Sequence, residues 1–169
     1  MKLKQIFFVA NNNIMNLNKT NIFGSIDTPI GIIGVLAKNK RILSVHWTDK
    51  IFKPTSPLLI ETLVKVKNYF NNKIGFYSIP IDLKKTKLQI KILETIMDIP
   101  FGNFCTYGSL AKKLNTHPRV VGHACSINPL PLIIPCHRVL RSDKKLGGYS
   151  CGNGIETKRW LLKHENIKL

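Results

Sequence analysis

Residues 105–128 read CTYGSLAKKLNTHPRVVGHACSIN. Thr106 is a residue type that caps helices, and Leu110, Ala111 and Leu114 follow it at the spacing of one helical face. The break "NTH" (115–117) interrupts that face. Thr116 with Pro118 then opens a second short helix running through Val120, Val121 and Ala124. Two short helices separated by a tight polar break form a helix-turn-helix pattern, which also fits helix pairs that never touch DNA.

Upstream, GIIGVLAKNKRILSVHW (31–47) is two apolar runs around the polar turn KNKR and predicts a hairpin. TSPLLIETLVKVKNYFNN (55–72) predicts a helix capped by Ser56 or Thr55, with Pro57 in its first turn and Leu59, Leu63, Val66 and Phe70 on one face. IGFYSIPIDL (74–83) returns to an extended pattern, and DLKKTK (82–87) reads as a linker. Thr86 followed by Gln89 is a capping-box pattern, and the helix it opens carries Ile90, Leu93 and Met97 on one side. Downstream of the helix pair the chain runs extended through LIIPC (132–136) into a glycine-rich loop region, then closes with the amphipathic helix IETKRWLLKHE (155–165).

Composition sets wider bounds. A chain of 169 residues can bury about 70% of the surface its unfolded form exposes. With 44% hydrophobic and 21% charged residues it has the make-up of a globular protein. The apolar start KQIFFVA (4–10) is too short to span a bilayer or to serve as a signal peptide, so an intracellular, cytoplasmic protein without a membrane partner is expected. The net charge of +17 favours a polyanionic partner, nucleic acid before an anionic membrane surface. The basic residues are spread evenly, with 11 Lys/Arg against 3 Asp/Glu in residues 1–80 and 15 against 6 in residues 81–169, so no basic tail stands out.

All four cysteines, Cys105, Cys125, Cys136 and Cys151, fall in the second half and are read as free thiols. No Cys/His spacing fits a structural zinc site. Cys136 differs from the others in its setting, LIIPCHRVL (132–140). Pro135 supports a change from extended chain to helical turn, which would put the sulfur near backbone N–H groups at the positive end of that turn. His137 is a candidate base, but neighbours on a helical turn point different ways. A bridging water or a remote base is therefore required. From local pattern alone, a reactive thiolate and a buried apolar thiol both remain open.

The chain resembles the O6-alkylguanine-DNA alkyltransferases, also called methylated-DNA–protein-cysteine methyltransferases. IPCHRV is similar to the family's active-site signature, and IPFGNFCTYGSLA, PRVVGHACSINPLPLIIPCHRVL, GGYS and KRWLLKHE occur in the family's order over nearly all of residues 88–169. The resemblance implies transfer of a methyl or small alkyl group from O6 of guanine, and less well from O4 of thymine, to the protein's own cysteine. It implies Cys136 as alkyl acceptor, His137 acting through a water, Glu165 orienting that histidine, Asn128 holding the turn before the active site, and Tyr107 on the lesion base. Arg119 is implied to enter the base stack from the minor groove, with Thr106, Gly108 and Ser142 as further DNA contacts. Pro131, Val139, Tyr149, Ser150 and Cys151 are implied to line or border the base pocket. No cofactor or metal is expected, and the implied partner is duplex DNA met by a monomer.

The sequence departs from the family pattern in places. NTHPR leaves two residues fewer between Tyr107 and Arg119, and YSCGNGIETKRW is about two residues longer than usual. Cys151 stands where the family often has glycine. Leu88 and Leu93 replace a common phenylalanine and tryptophan, an exchange read as one within the core. Residues 1–104 contain no cysteine, so the N-terminal zinc site of some members has no counterpart. The expected fold is α/β (α+β): a strand-rich α/β scaffold over residues 1–82, then a mainly helical domain over 83–169 with a winged-helix-like helix-turn-helix motif. Two other functions stay in contention, a helix-turn-helix regulator without chemistry and a cysteine hydrolase. The first predicts loss of the cysteine, and the second needs an oxyanion hole that the sequence does not display.

Overall fold

The computed structural model describes residues 21–71, 78–143 and 145–168. The elements follow in the order β1 (Asn21–Ile26), β2 (Ile32–Lys38), β3 (Arg41–Thr48), α1 (Pro57–Phe70), α2 (Lys87–Met97), β4 (Cys105–Thr106), α3 (Tyr107–Lys113), α4 (Pro118–Ser126), a single 3-10 turn (Cys136–Arg138), β5 (Val139–Leu140) and α5 (Ile155–His164). The α+β class agrees with the sequence. The apolar start at 4–10 and residues 74–77 of the extended pattern lie outside the described residues.

β1, β2 and β3 form an antiparallel sheet in that order. The predicted hairpin turns at Asn39 and Lys40, whose φ angles of +50° and +59° are the left-handed pair that a two-residue hairpin turn requires. Ile33, Val35 and Ala37 alternate inward along β2. α1 covers that face. Its cap is Ser56, whose hydroxyl accepts the Leu59 N–H at 3.2 Å, with Pro57 at its start. Leu59, Leu63, Val66 and Tyr69 point inward.

In the second half the capping box at α2 forms as read, with Thr86 and Gln89 exchanging hydrogen bonds of 3.1 and 3.3 Å. The buried face differs from the expected one. Ile92, Leu93 and Ile96 are buried, while Met97 is 41% exposed. The segment carries two overlapping apolar stripes, and packing selects the one that continues into buried Ile99. Leu88 sits off that stripe and is 42% exposed, so only Leu93 of the two exchanges belongs to the core.

α3 and α4 pack on each other as the expected helix pair, and α2 packs on α4. Thr106 caps α3 and forms a second capping box with Ser109, at 3.0 Å in both directions. α4 is capped by His117 instead of Thr116: its Nδ1 accepts the Arg119 N–H at 3.2 Å. The reason is Pro118, which forces the residue before it into the extended region and so makes His117 the last non-helical residue. β4 and β5 run parallel, pairing Cys105 with Val139 and Thr106 with Leu140, so the start of α3 is tied to the turn that carries Cys136. Buried side chains from the sheet, α1, α2, α3, α4 and α5 form one continuous cluster.

Because the Thr106 box fixes the helix that begins at Tyr107, Thr106→Ala is expected to lower stability by about 1 kcal/mol. A urea unfolding midpoint measured against the parent protein checks this.

Candidate active site

The segment from Asn128 to Cys136 is folded back on itself by one side chain. The Asn128 carboxamide donates to the Ile134 carbonyl at 2.9 Å and accepts the Leu130 N–H at 2.9 Å. The same Nδ2 also donates to Sγ of Cys136 at 3.3 Å. Cys136 begins a single 3-10 turn and not a longer helix, so the help it receives from aligned peptides is limited to the nearest N–H groups. Burial raises the thiol above its ordinary value, while the Asn128 hydrogen bond, the Lys158 ammonium and the N–H groups of Cys136 and His137 oppose that rise.

His137 is wholly buried. Its Nε2 lies 2.7 Å from Oε1 of Glu165, and its Nδ1 is buried without a hydrogen-bond partner among the described residues. Burial alone would raise the Glu165 carboxyl, but the hydrogen bond from His137 and the charge and hydrogen bonds of Arg138 hold it at about 2. An ionised carboxylate can only accept, so Nε2 carries the proton. Burial also lowers His137, so the imidazole is neutral near pH 7 and its Nδ1 presents a lone pair.

Glu165 gathers further donors. Arg138 donates from Nε to Oε2 at 2.7 Å and from Nη2 to Oε1 at 3.0 Å, and its Nη1 reaches the Ile99 carbonyl at 2.6 Å. The Gly102 N–H donates to Oε2 at 3.3 Å, from a backbone with φ +78° that suits glycine. The Tyr69 hydroxyl, from α1, donates to Oε1 at 2.6 Å.

Cys136 opens into a cavity of about 580 Å³ lined by Tyr107 from α3, Gly122, Cys125 and Ser126 from α4, Arg141, and the loop from Gly147 to Ser150. The cavity therefore opens toward the helix pair. A second groove of about 350 Å³ is lined by Tyr107, Gly108, Pro118, Arg119, Gly122, Arg141 and Ser142. Tyr107, Gly122 and Arg141 belong to both and join them. Four residues expected to contact DNA, Tyr107, Gly108, Arg119 and Ser142, thus line one groove, with Arg119 exposed. The Thr106 hydroxyl is engaged as the helix cap. Of the expected pocket residues, Tyr149 and Ser150 line the cavity. Pro131 and Val139 are buried and Cys151 is half-buried next to Ser150, and none of the three lines it. Burial raises the Tyr107 phenol and pushes the Cys125 and Cys151 thiols up to about 12.

Lys158 was missed from the sequence. It is fully buried on α5, its Nζ donates to the Val139 carbonyl at 2.7 Å, and burial lowers it to about 8 against the upward pull of Cys136 and Cys125. A signal was present, because Lys158 shares a helical stripe with the apolar Leu161 and Leu162 and with Glu165. Arg141 was missed as well. It is exposed, pairs with Asp143 at 3.2 Å, and stands where the cavities meet. Nothing in the local sequence marks it.

Comparison with known proteins places the chain in a family. Residues 87–167 match the family model for the 6-O-methylguanine DNA methyltransferase, DNA binding domain. A methylated-DNA--protein-cysteine methyltransferase of Saccharolobus islandicus is 35% identical over 150 residues, covering 88% of this chain and 97% of the relative. One of Methanocaldococcus vulcanius is 48% identical over 106 residues, covering 61% of this chain and 64% of the relative. Among solved structures, the Mycobacterium tuberculosis O6-methylguanine methyltransferase superposes with a TM-score of 0.75 at 27% identity, over 88% of this chain and 94% of that one. Mycobacterium tuberculosis OGT in complex with DNA gives 0.73 at 28% identity, over 85% and 91%. The fold is that of the O6-methylguanine methyltransferases. The chain belongs to the methylated-DNA–protein-cysteine methyltransferase family.

The depressed Glu165 carboxyl carries a stability consequence. Its folded value lies below the unfolded one, so its contribution is full above about pH 4.5 and is lost as pH falls toward 2. Glu165→Gln is expected to destabilise the protein at pH 7 by roughly 3 kcal/mol, with the difference shrinking across that window. Urea unfolding of both proteins from pH 7 to pH 2 measures it.

Proposed function

We propose that this protein repairs alkylated DNA by direct reversal, taking the alkyl group from O6 of guanine in duplex DNA onto Sγ of Cys136. The observation that carries this is the juncture of the two cavities. One contains the sulfur of Cys136, which Asn128 holds, and it adjoins a groove on the helix pair that presents Arg119. A base inside a duplex cannot reach such a sulfur, so it must be rotated out, at roughly a few kcal/mol. Arg119, exposed at the start of α4, takes the vacated place from the minor groove, where weak sequence selectivity suits repair at any site.

The step is an in-line displacement at carbon. The S–C bond forms as the C–O6 bond breaks, and the electron pair leaves with the guanine, whose anion the Tyr107 hydroxyl stabilises by donating a hydrogen bond until it takes up a proton from water. The thiol proton passes through a water to Nδ1 of His137, whose Nε2–H is anchored on Glu165. Lys158 offsets the thiolate charge, and Asn128 orients the sulfur. The thioether has no route back, so each molecule reacts once. Residues 1–82 act as scaffold to the reactive residues 83–169, and the protein works as a cytoplasmic monomer. Cys151 borders the pocket where a glycine would leave more room.

Duplex DNA containing O6-methylguanine should add one methyl to the tryptic peptide bearing Cys136 and none to a Cys136→Ala variant, as weighed by mass spectrometry. Repeated turnover points to a hydrolase, and binding without transfer to a regulator; either outcome overturns the proposal. Lys158→Met removes the nearby cation while keeping the chain's bulk. It is expected to slow transfer at pH 7 by about tenfold and to recover at higher pH as the thiol ionises. Single-turnover rates from pH 6 to pH 10 test this.

A further inference from the structure

The repair chemistry proposed above uses residues of the second half, yet one side chain from the first half reaches its centre. Tyr69, in the last turn of α1, and Glu165, at the end of α5, are each 1% exposed and 96 positions apart. Their hydrogen bond of 2.6 Å falls on Oε1, the same oxygen that receives Nε2 of His137 at 2.7 Å and Nη2 of Arg138 at 3.0 Å. An ionised carboxylate has no proton to give, so the tyrosine donates. Donors that share one oxygen draw on the same lone pairs and the same charge, so each alters what the others feel.

The Tyr69 ring cannot drift from that position. It packs edge-on against Phe70 and Phe101 with centroids 5.0 and 5.8 Å away, and tilted against His164 at 5.2 Å. His164 Nε2 lies 2.9 Å from the Tyr69 carbonyl, so α1 and α5 are joined through backbone and side chain at the same point. Two other contacts from the first half meet the site nearby. The Val45 N–H donates to the Pro129 carbonyl at 2.9 Å, one residue beyond Asn128. Trp47 lies so close to Gly152 that a Cβ there would sit 3.0 Å from its indole.

Resting on the alkyl-transfer reading, we infer that Tyr69 is a positioning residue for that reaction, setting the orientation and basicity of His137 through the shared Glu165 oxygen. A tyrosine that only filled the core would place its hydroxyl anywhere a hydrogen bond was available. This one donates to the group that anchors the base. Without the hydroxyl, Oε1 concentrates more charge on His137, which then holds a proton more tightly and is a working base only at higher pH.

The test is the pH dependence of single-turnover methyl transfer from methylated duplex DNA. Tyr69→Phe should slow transfer at pH 7 by about tenfold, as expected for losing a hydrogen bond to a charged group. It should also move the acidic limb of the profile to higher pH and leave duplex affinity unchanged. 3-Fluorotyrosine installed at position 69, nearly isosteric and a stronger donor, should move the limb to lower pH. Phe70→Leu is the packing control, lowering the thermal midpoint without moving the limb. If the limb of Tyr69→Phe stays in place while its rate falls in step with stability, Tyr69 is a packing residue and the inference is overturned. Should Tyr69→Phe not fold, the 3-fluorotyrosine protein decides, and an unmoved limb there is equally fatal. A parent protein that leaves Cys136 unmethylated defeats the repair reading itself; one that transfers with a limb insensitive to position 69 defeats this inference alone.

Discussion

A carboxylate withdrawn from water is tolerated only when its lone pairs are occupied by donors, since the desolvation of one such ion is worth several kcal/mol. Glu165 meets this demand with four donor residues from three parts of the chain: Tyr69 at the end of α1, Gly102 in the loop after α2, and His137 and Arg138 in the 3-10 turn, all converging on the end of α5. None of these segments can move without leaving the charge short of a partner. The reactive turn is thus positioned less by its own three residues than by a carboxylate on which the whole chain closes. Arg138 completes the arrangement by bridging to the Ile99 carbonyl, tying α2 into the same knot.

The thiol next to this network is under opposed influences. Burial favours the protonated form, whereas Asn128, Lys158 and two backbone N–H groups favour the anion. Burial outweighs them in the resting protein, and the neutral His137 keeps an Nδ1 without a hydrogen-bond partner among the described residues, wholly out of solvent. Cys125 and Cys151 lack the Asn128 hydrogen bond, and burial holds both near 12.

Much of this was legible in the sequence, and the limits of legibility have physical causes. Caps and turns are local, so Ser56, the Thr86–Gln89 box, the Thr106 cap and the KNKR hairpin turn were read correctly from a few residues each. The cap of α4 falls one position past Thr116, the residue that preference alone selects, because Pro118 holds its predecessor His117 extended. The α2 face was misread because two stripes overlap and only the packing partner chooses between them. At the site, the residue types in IPCHRV and KHE point to the chemistry. Tyr69 takes the buried place that the periodicity assigns to Phe70, which is half-buried, and a contact across 96 positions leaves no local pattern to place it at the carboxylate.

That same span has a temporal side. Closing so long a loop is slow compared with forming α3, α4 or the hairpin, since entropy is lost before the distant contact returns anything. A half-folded chain therefore carries an ordinary, unactivated sulfhydryl. A reagent that can be used only once is therefore most open to waste during its maturation, when its sulfur meets solvent without the enclosure that the final docking of its halves provides.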